Sequence, residues 1–506
     1  MRKTSYDRDA YGNQEGIRYS MKKVLVLLIA LAFALAFASC KENSDKTPSG
    51  GTVSGNAISG AEEIGDISGD FNILVVGNQE WNDFSAEETD TALVDIAIYE
   101  RNKLMESTYG VNIKTDEYMG FGIAMGSGTG FQKICNNVIS GTPAHDAAMI
   151  GTYDVAMLVL NDMLLDLNET PHIDLSQPYW DQKANSDLSV NGKMYYTTGD
   201  ISVVDNRSTH ALFFNKEMIK DYGLENPHQL VKDNKWTLEK FGEMVKKIGI
   251  DNDNNGVYNK YDTFGLLSAR DNNLAILAAA GEKICTISDS GEVTLTLMTP
   301  KVEDLYSKYL DIVSDHSHTF NWKFDYQNTS DGSDQATNEE RINMFNNHQA
   351  LFYFHMLSYT DYLREIETDF GILPFPKYNE AQEEYGHYIS AWHSQFLCVP
   401  KLINSAERTG FVLETLAANS APLTDAYYTK TLQGKGARDA DSSAILDIIF
   451  DTRVYDIGVY YNVGEYKDSI GYILERGKSL PVFYEEKRPN AENLVKTINQ
   501  VFSQSK

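Results

Sequence analysis

The residues with the clearest capacity for chemistry lie in one short run, Asp251-Asn252-Asp253-Asn254-Asn255-Gly256-Val257-Tyr258-Asn259, closed by Asp262. Oxygen-bearing side chains stand at positions 1, 3, 5, 9 and 12 of a 12-residue loop with glycine at position 6, the ligand spacing of an EF-hand-type calcium loop. Val257 would add its backbone carbonyl. Position 12 carries aspartate where a bidentate glutamate is usual, which shortens the reach to the ion. The expected ligands are therefore Asp251, Asp253, Asn255, Val257, Asn259 and Asp262 around a structural Ca2+, with no cofactor for catalysis. The same composition also describes a turn-rich connection without metal, because Asn, Asp and Gly favour Asx turns.

Other chemical signatures are weak. No GxSxG elbow or HExxH pair occurs. Gly120, Gly122, Gly126, Gly128 and Gly130 match neither a dinucleotide fingerprint nor a P-loop, and Asp315-His316-Ser317-His318 reads as a solvated turn. Cys135, Cys285 and Cys398 contain no CxxC pair, which argues against a disulfide framework or zinc site. With 72 acidic residues, a glycosidase carboxylate pair stays open, since its separation is a property of the fold. A net charge of -28 argues against nucleic acid or an anionic membrane surface as a direct partner.

The elements that must position these residues begin beyond an N-terminal leader. Met21-Lys22-Lys23 precedes the apolar run VLVLLIALAFALAFAS and Cys40, a basic, apolar and small-residue succession that reads as an export signal. Small residues directly before a cysteine resemble the lipobox of bacterial lipoproteins, which implies lipidation of Cys40. Residues 1–20 read as an upstream extension, 21–39 as the signal peptide, and 40–67, dense in Ser and Gly, as a flexible tether.

From Phe71 onward, short apolar runs alternate with helical stretches, the pattern of an α/β domain with βαβ units. Strands are expected at residues 71–77, from Val111, at 146–150, 193–196 and 211–215. One helix is expected from a Ser85/Glu88 capping box, with Leu93, Ile96, Ala97 and Leu104 at helical spacing and Gly110 at its end. A second is capped by Thr237, stapled by Trp236 and Phe241, and stopped by Gly249; a third follows Asp441.

Particular strings carry a resemblance. Leu212-Phe213-Phe214-Asn215-Lys216-Glu217-Met218 with Tyr222-Gly223-Leu224, Lys235-Trp236-Thr237-Leu238-Glu239-Lys240-Phe241, Phe370 to Pro376, Tyr388 to Pro400, and Lys435 to Asp439 with Arg453-Val454-Tyr455-Asp456 are similar to family 1 extracellular solute-binding proteins. The resemblance implies an α/β, two-lobed type II periplasmic-binding-protein fold with a ligand cleft between the lobes. It places 68–207 and 392–433 in the N-lobe, and 208–391 and 434–506 in the C-lobe, with crossings near Asp205 to Ala211, Trp392 and Gly434. It implies a monomeric, lipid-anchored protein on the outer face of the cell membrane, periplasmic where there are two membranes, that delivers a carbohydrate to the permease subunits of an ABC importer. The alternative is a secreted glycan-binding lipoprotein or glycosidase without a transporter.

A polyhydroxylated ligand needs aromatic faces for its C–H patches and carboxylate or amide groups for its hydroxyls. Trp81 with Asp83 follows the first strand, and Tyr153 with Asp154 follows the 146–150 run; ligands gather at the carboxyl ends of strands in open α/β sheets. Trp180, Asp200, Trp322, His355 and Trp392, in loops or near the implied crossings, complete the expected contacts. Isolated tryptophans and histidines are also common core residues, so each has a structural reading beside the functional one.

Overall fold

The computed structural model describes residues 64–120, 125–321, 338–432 and 440–504; Cys40, the signal segment, most of the tether and Trp322 lie outside them. Strands are numbered in chain order. Gly69–Gly77 forms β1, whose run Ile73-Leu74-Val75-Val76 is buried throughout, as a strand covered on both faces requires. The first sheet runs in the order β2 (Val111–Met119), β1, β3 (Ala147–Gly151), β14 (Gln395–Cys398) and β4 (Tyr196–Thr197). β1 is parallel to β2 and β3, and β14 runs antiparallel to β3 with Gln395 opposite Gly151.

The second sheet runs β10 (Thr319–Asn321), β7 (Thr263–Ser268), β11 (Ala350–Met356), β5 (His210–Asn215) and β12 (Phe370–Leu373), with β6 (Gly249–Ile250) beside β7. Here β10, β7 and β11 are parallel, and β5 is antiparallel to β11 and β12. Two small pairs complete the set: β8 (Cys285–Ile287) with β9 (Val293–Leu295), and β13 (His387–Tyr388) with β15 (Arg453–Val454).

The chain passes between the sheets through segments that run side by side. Thr209 bridges Ile389, and the Ser390 amide donates to the Ser208 carbonyl at 2.9 Å. β13 and β15 pair in parallel alongside. Arg453 ties this region to the first sheet's side, donating to Asp205 Oδ2 at 2.7 Å and Asp181 Oδ2 at 2.6 Å. The Tyr455 hydroxyl adds a bond to Asp181 at 2.8 Å.

Several expected elements differ in extent. The first helix spans Leu93–Tyr109 with Ala92 at its N-cap and no side-chain cap, so Ser85 and Glu88 do not open it. Its buried face is Val94, Ile98, Arg101 and Met105, whereas Leu93 and Ile96 are exposed. Arg101 fixes that register because its guanidinium is buried and donates to the Asp83 and Ile201 carbonyls and to Ser420 Oγ. Gly110 does end the helix, in the left-handed conformation at φ 67°. Of residues 193–196, only Tyr196 enters a strand, and the helix expected to stop at Gly249 ends at Val245.

The Thr237 cap holds as expected. Thr237 Oγ1 accepts from the Lys240 amide at 3.3 Å, and Trp236 meets Phe241 edge-on with ring centroids 6.0 Å apart. Trp236 is fully buried, and its indole N–H donates to the Pro374 carbonyl at 2.9 Å. Trp236→Ala should therefore cost about 3–5 kcal/mol in urea unfolding; a loss below about 1 kcal/mol would show that the staple is not part of the core.

Candidate ligand-binding cleft

In each sheet the functional groups gather at one end. The carboxyl ends of β1 and β3 and the start of β14 coincide in the first sheet; the carboxyl ends of β7, β10 and β11 and the start of β5 coincide in the second. The crossing segments join these ends. Side chains that follow them are thus brought together from distant parts of the chain.

Aromatic rings form one part of the site. Trp81, four residues beyond β1, lies 6.4 Å from the His393 ring, with the Arg207 guanidinium 5.6 Å from its face. Tyr153, in the helix Thr152–Leu160 that follows β3, lies 6.2 Å from Trp392, and Lys467 Nζ sits 4.4 Å from the Tyr153 ring. Trp81 and Trp392 are half-buried, so part of each face meets solvent.

Polar groups form the other part. Ser390 Oγ donates to Asp271 Oδ2 at 3.2 Å and lies 3.0 Å from His393 Nδ1. His210 Nε2 stands 4.0 Å from the same Asp271 oxygen, and its ring is 5.4 Å from Tyr388. His355 stacks on Tyr359 with centroids 3.2 Å apart. Burial lowers the pKa of His393 to about 4 against the opposing pull of Asp271. Burial also lowers His210, and holds His355 well below the ordinary value with help from Arg341, His210 and His393. At neutral pH all three imidazoles are uncharged, each with one donor and one acceptor. Lys467 stays charged: burial disfavours its ammonium, but Tyr153 and Asp468 raise its pKa overall.

The expected contacts separate accordingly. Trp81, Tyr153 and Trp392 take part in these ring contacts, and His355, stacked on Tyr359, lies near enough to His210 and His393 to feel their charge. Asp83 is buried beneath it, accepting from Ser202 Oγ and the Val203 amide, each at 2.8 Å, and pairing with Arg207 at 2.9 Å. Asp154 is fully buried and accepts the Gly128 and Phe131 amides at the start of the helix Thr129–Ser140. The Trp180 indole donates to Glu414 at 2.9 Å, and Asp200 accepts from Thr424 Oγ1 at 2.8 Å. Trp180 and Asp200 line a different cavity of about 250 Å³ with Asp181, Asp205 and Arg453. These four side chains therefore have structural partners in place.

Sequence reasoning missed His210, Asp271, Ser390, His393 and Lys467. Only His393 carried a signal, as the neighbour of Trp392; Lys467 arrives from the helix Tyr466–Gly471 far along the chain.

In the acidic loop, carboxylate oxygens of Asp251, Asp253 and Asp262 lie within 4.8 Å of one another, a set that fits a hard divalent cation. Asp251 accepts the Gly256 amide at 2.6 Å, and buried Asp262 accepts the Asn252 and Asn259 amides. Asn255, Val257 and Asn259 hydrogen-bond within the loop: Asn255 Oδ1 accepts the Val257 amide and Asn259 Nδ2 donates to the Val257 carbonyl.

The family model for bacterial extracellular solute-binding proteins matches residues 85–392, more than half of the chain. The chain belongs to that family. Several solved binding proteins share its two-lobed fold. A galacto-N-biose-/lacto-N-biose I-binding protein of an ABC transporter from Bifidobacterium longum, in complex with lacto-N-biose, is 12% identical at a TM-score of 0.54, over 86% of this chain and 98% of that one. UgpB from Mycobacterium tuberculosis, in complex with glycerophosphocholine, is 16% identical at 0.54, over 85% and 99%. An ABC substrate-binding protein from Listeria monocytogenes, in complex with cycloalternan, is 13% identical at 0.52, over 86% and 99%. No curated protein matches by sequence.

The solute-binding protein should report the state of its cleft through His393. A histidine whose folded pKa is depressed to about 4 holds fewer protons than the unfolded chain between that value and 6.5, so its contribution to stability is lost as pH falls through this range. The melting temperature should drop more steeply from pH 6.5 to 4 in the wild type than in His393→Gln. Parallel profiles would remove the buried-imidazole assignment.

Proposed function

We propose that this extracellular solute-binding protein captures a carbohydrate between its lobes and delivers it unaltered to the permease of an ABC importer. The observation that supports this most is the convergence of Trp81, Tyr153 and Trp392 with uncharged histidines and hydroxyls at the ends of both sheets. Aromatic faces accept the C–H patches of a sugar ring, while the polar groups exchange hydrogen bonds with its hydroxyls. The sugar complexes of the Bifidobacterium and Listeria proteins favour the same class. The N-lobe, 68–207 with 392–433, and the C-lobe, 208–391 with 434–506, close about the crossing segments as ligand bridges them. The protein acts as a monomer without catalytic residues.

Anchoring follows from Cys40, whose thiol carries the lipid that holds the protein at the outer face of the membrane. The Asp251 to Asp262 loop holds a structural Ca2+, the three converging carboxylates supplying its charge.

In a thermal-shift series, a neutral mono- or oligosaccharide at a hundred times its dissociation constant should stabilise the protein by about 2.7 kcal/mol and be recovered intact. Millimolar calcium should raise, and chelator lower, the melting temperature in the same series. A sugar cleaved on incubation would replace the transport reading with a glycosidase, and a transition indifferent to calcium would remove the metal. Separately, Cys40→Ala should move the protein from the membrane to the soluble fraction; retention in membranes would end the lipoprotein assignment.

A further inference from the structure

Two buried polar side chains, one at the cleft end of each sheet, make no well-aligned hydrogen bond among the described residues. His210, the first residue of β5, is 3% exposed, and neither ring nitrogen makes a well-aligned hydrogen bond; its polar neighbours are the Asn272 side chain and Asp271 Oδ2, 4.0 Å from Nε2. Gln395, the first residue of β14, is 0% exposed, and neither its amide nitrogen nor its amide oxygen is bonded. Its side chain reaches past the end of β3 to lie over Gly77, the last residue of β1, where an added Cβ would stand 1.7 Å from Gln395 Nε2. Glycine at 77 therefore leaves the room that the amide fills.

Desolvated polar groups without a well-aligned bond cost folding stability, and an aliphatic or phenyl side chain in the same space would not. Groups retained at such a cost in a binding cleft are those a ligand completes. We propose that His210 and Gln395 are specificity-determining residues, one on each lobe, that select an uncharged, hydroxyl-rich ligand over one bearing a phosphate or carboxylate; the inference rests on the cleft reading above and narrows its ligand class.

The selection follows from donor and acceptor counts. A neutral imidazole offers one donor and one acceptor, and a carboxamide offers both kinds. A hydroxyl satisfies either kind, since it donates and accepts. Phosphate and carboxylate oxygens only accept, leaving the imidazole acceptor and Gln395 Oε1 unpaired. An anion would also face Asp271, 4.0 Å from His210 and 41% exposed. The nearby cations are already engaged, Arg207 with Asp83 at 2.9 Å and Lys467 with Asp468 at 2.9 Å. Burial keeps His210 in its neutral form.

The test uses the full chain as wild type, His210→Phe, His210→Gln, Gln395→Leu and Gly77→Ala, with lacto-N-biose, maltotriose and glycerophosphocholine as probes, read by melting temperature and calorimetry. A neutral sugar should bind the wild type, and glycerophosphocholine should not. Without ligand, His210→Phe and Gln395→Leu should melt about 2 °C higher than the wild type, yet bind the sugar at least tenfold more weakly. His210→Gln, which keeps a donor and an acceptor, should retain most of the binding, and Gly77→Ala should lose it by crowding Gln395. Ligand-free melting below the wild type in both apolar variants, unchanged sugar affinity in them, or preferential binding of glycerophosphocholine would each overturn the proposal. If neither sugar binds the wild type, the carbohydrate reading fails, and the ligand-free melting temperatures decide the present inference: a rise sustains it and a fall overturns it.

Discussion

Two carboxylates, Asp181 and Asp205, share one guanidinium, that of Arg453, beside the segments that pass between the sheets. Burial raises the Asp205 pKa to about 6 even though Arg453 and the Asn206 amide favour its ionised form, so the buried charge depends on these partners. The rest of the site depends on that arrangement. Arg453 stands on β15, β15 pairs with β13, and the residues after β13 lead through Ser390, Trp392 and His393 into β14. Fixing one strand of this region therefore fixes where the cleft's aromatic and polar groups sit.

The architecture has a simple physical origin. Parallel strands need crossover connections, and these place the loops after each strand on the same edge of the sheet. Two such sheets joined by short parallel and antiparallel crossings present their loop edges to one another. Aromatic side chains and uncharged imidazoles then meet in a partly desolvated space where each hydrogen bond carries more weight than in water. The site is consequently rich in neutral donor–acceptor groups, and most of its charges are compensated within the protein.

Burial also separates the residues that face the cleft from those that support it. Asp83 and Asp154 stand two and one positions from Trp81 and Tyr153, yet their carboxylates are consumed by backbone amides and by Arg207. A short acidic side chain next to a strand end serves equally well as a helix-start acceptor or as a ligand contact. Which role it takes depends on whether amides or solvent face it.

The sequence by itself determined the family, the α/β alternation, the Thr237 cap with its Trp236 staple, and the strand-end positions of Trp81 and Tyr153, because these follow from local periodicity and short-range spacing. It did not determine the register of the Leu93–Tyr109 helix, where buried Arg101 takes a core position through bonds to Asp83, Ile201 and Ser420 that no local pattern shows. The grouping of His210, Asp271, Ser390, His393 and Lys467 was decided only by tertiary structure. His210, Asp271, Lys467 and the Ser390–His393 segment are separated by long stretches of chain and sit in unlike elements, and they meet because the crossings bring the ends of two sheets together.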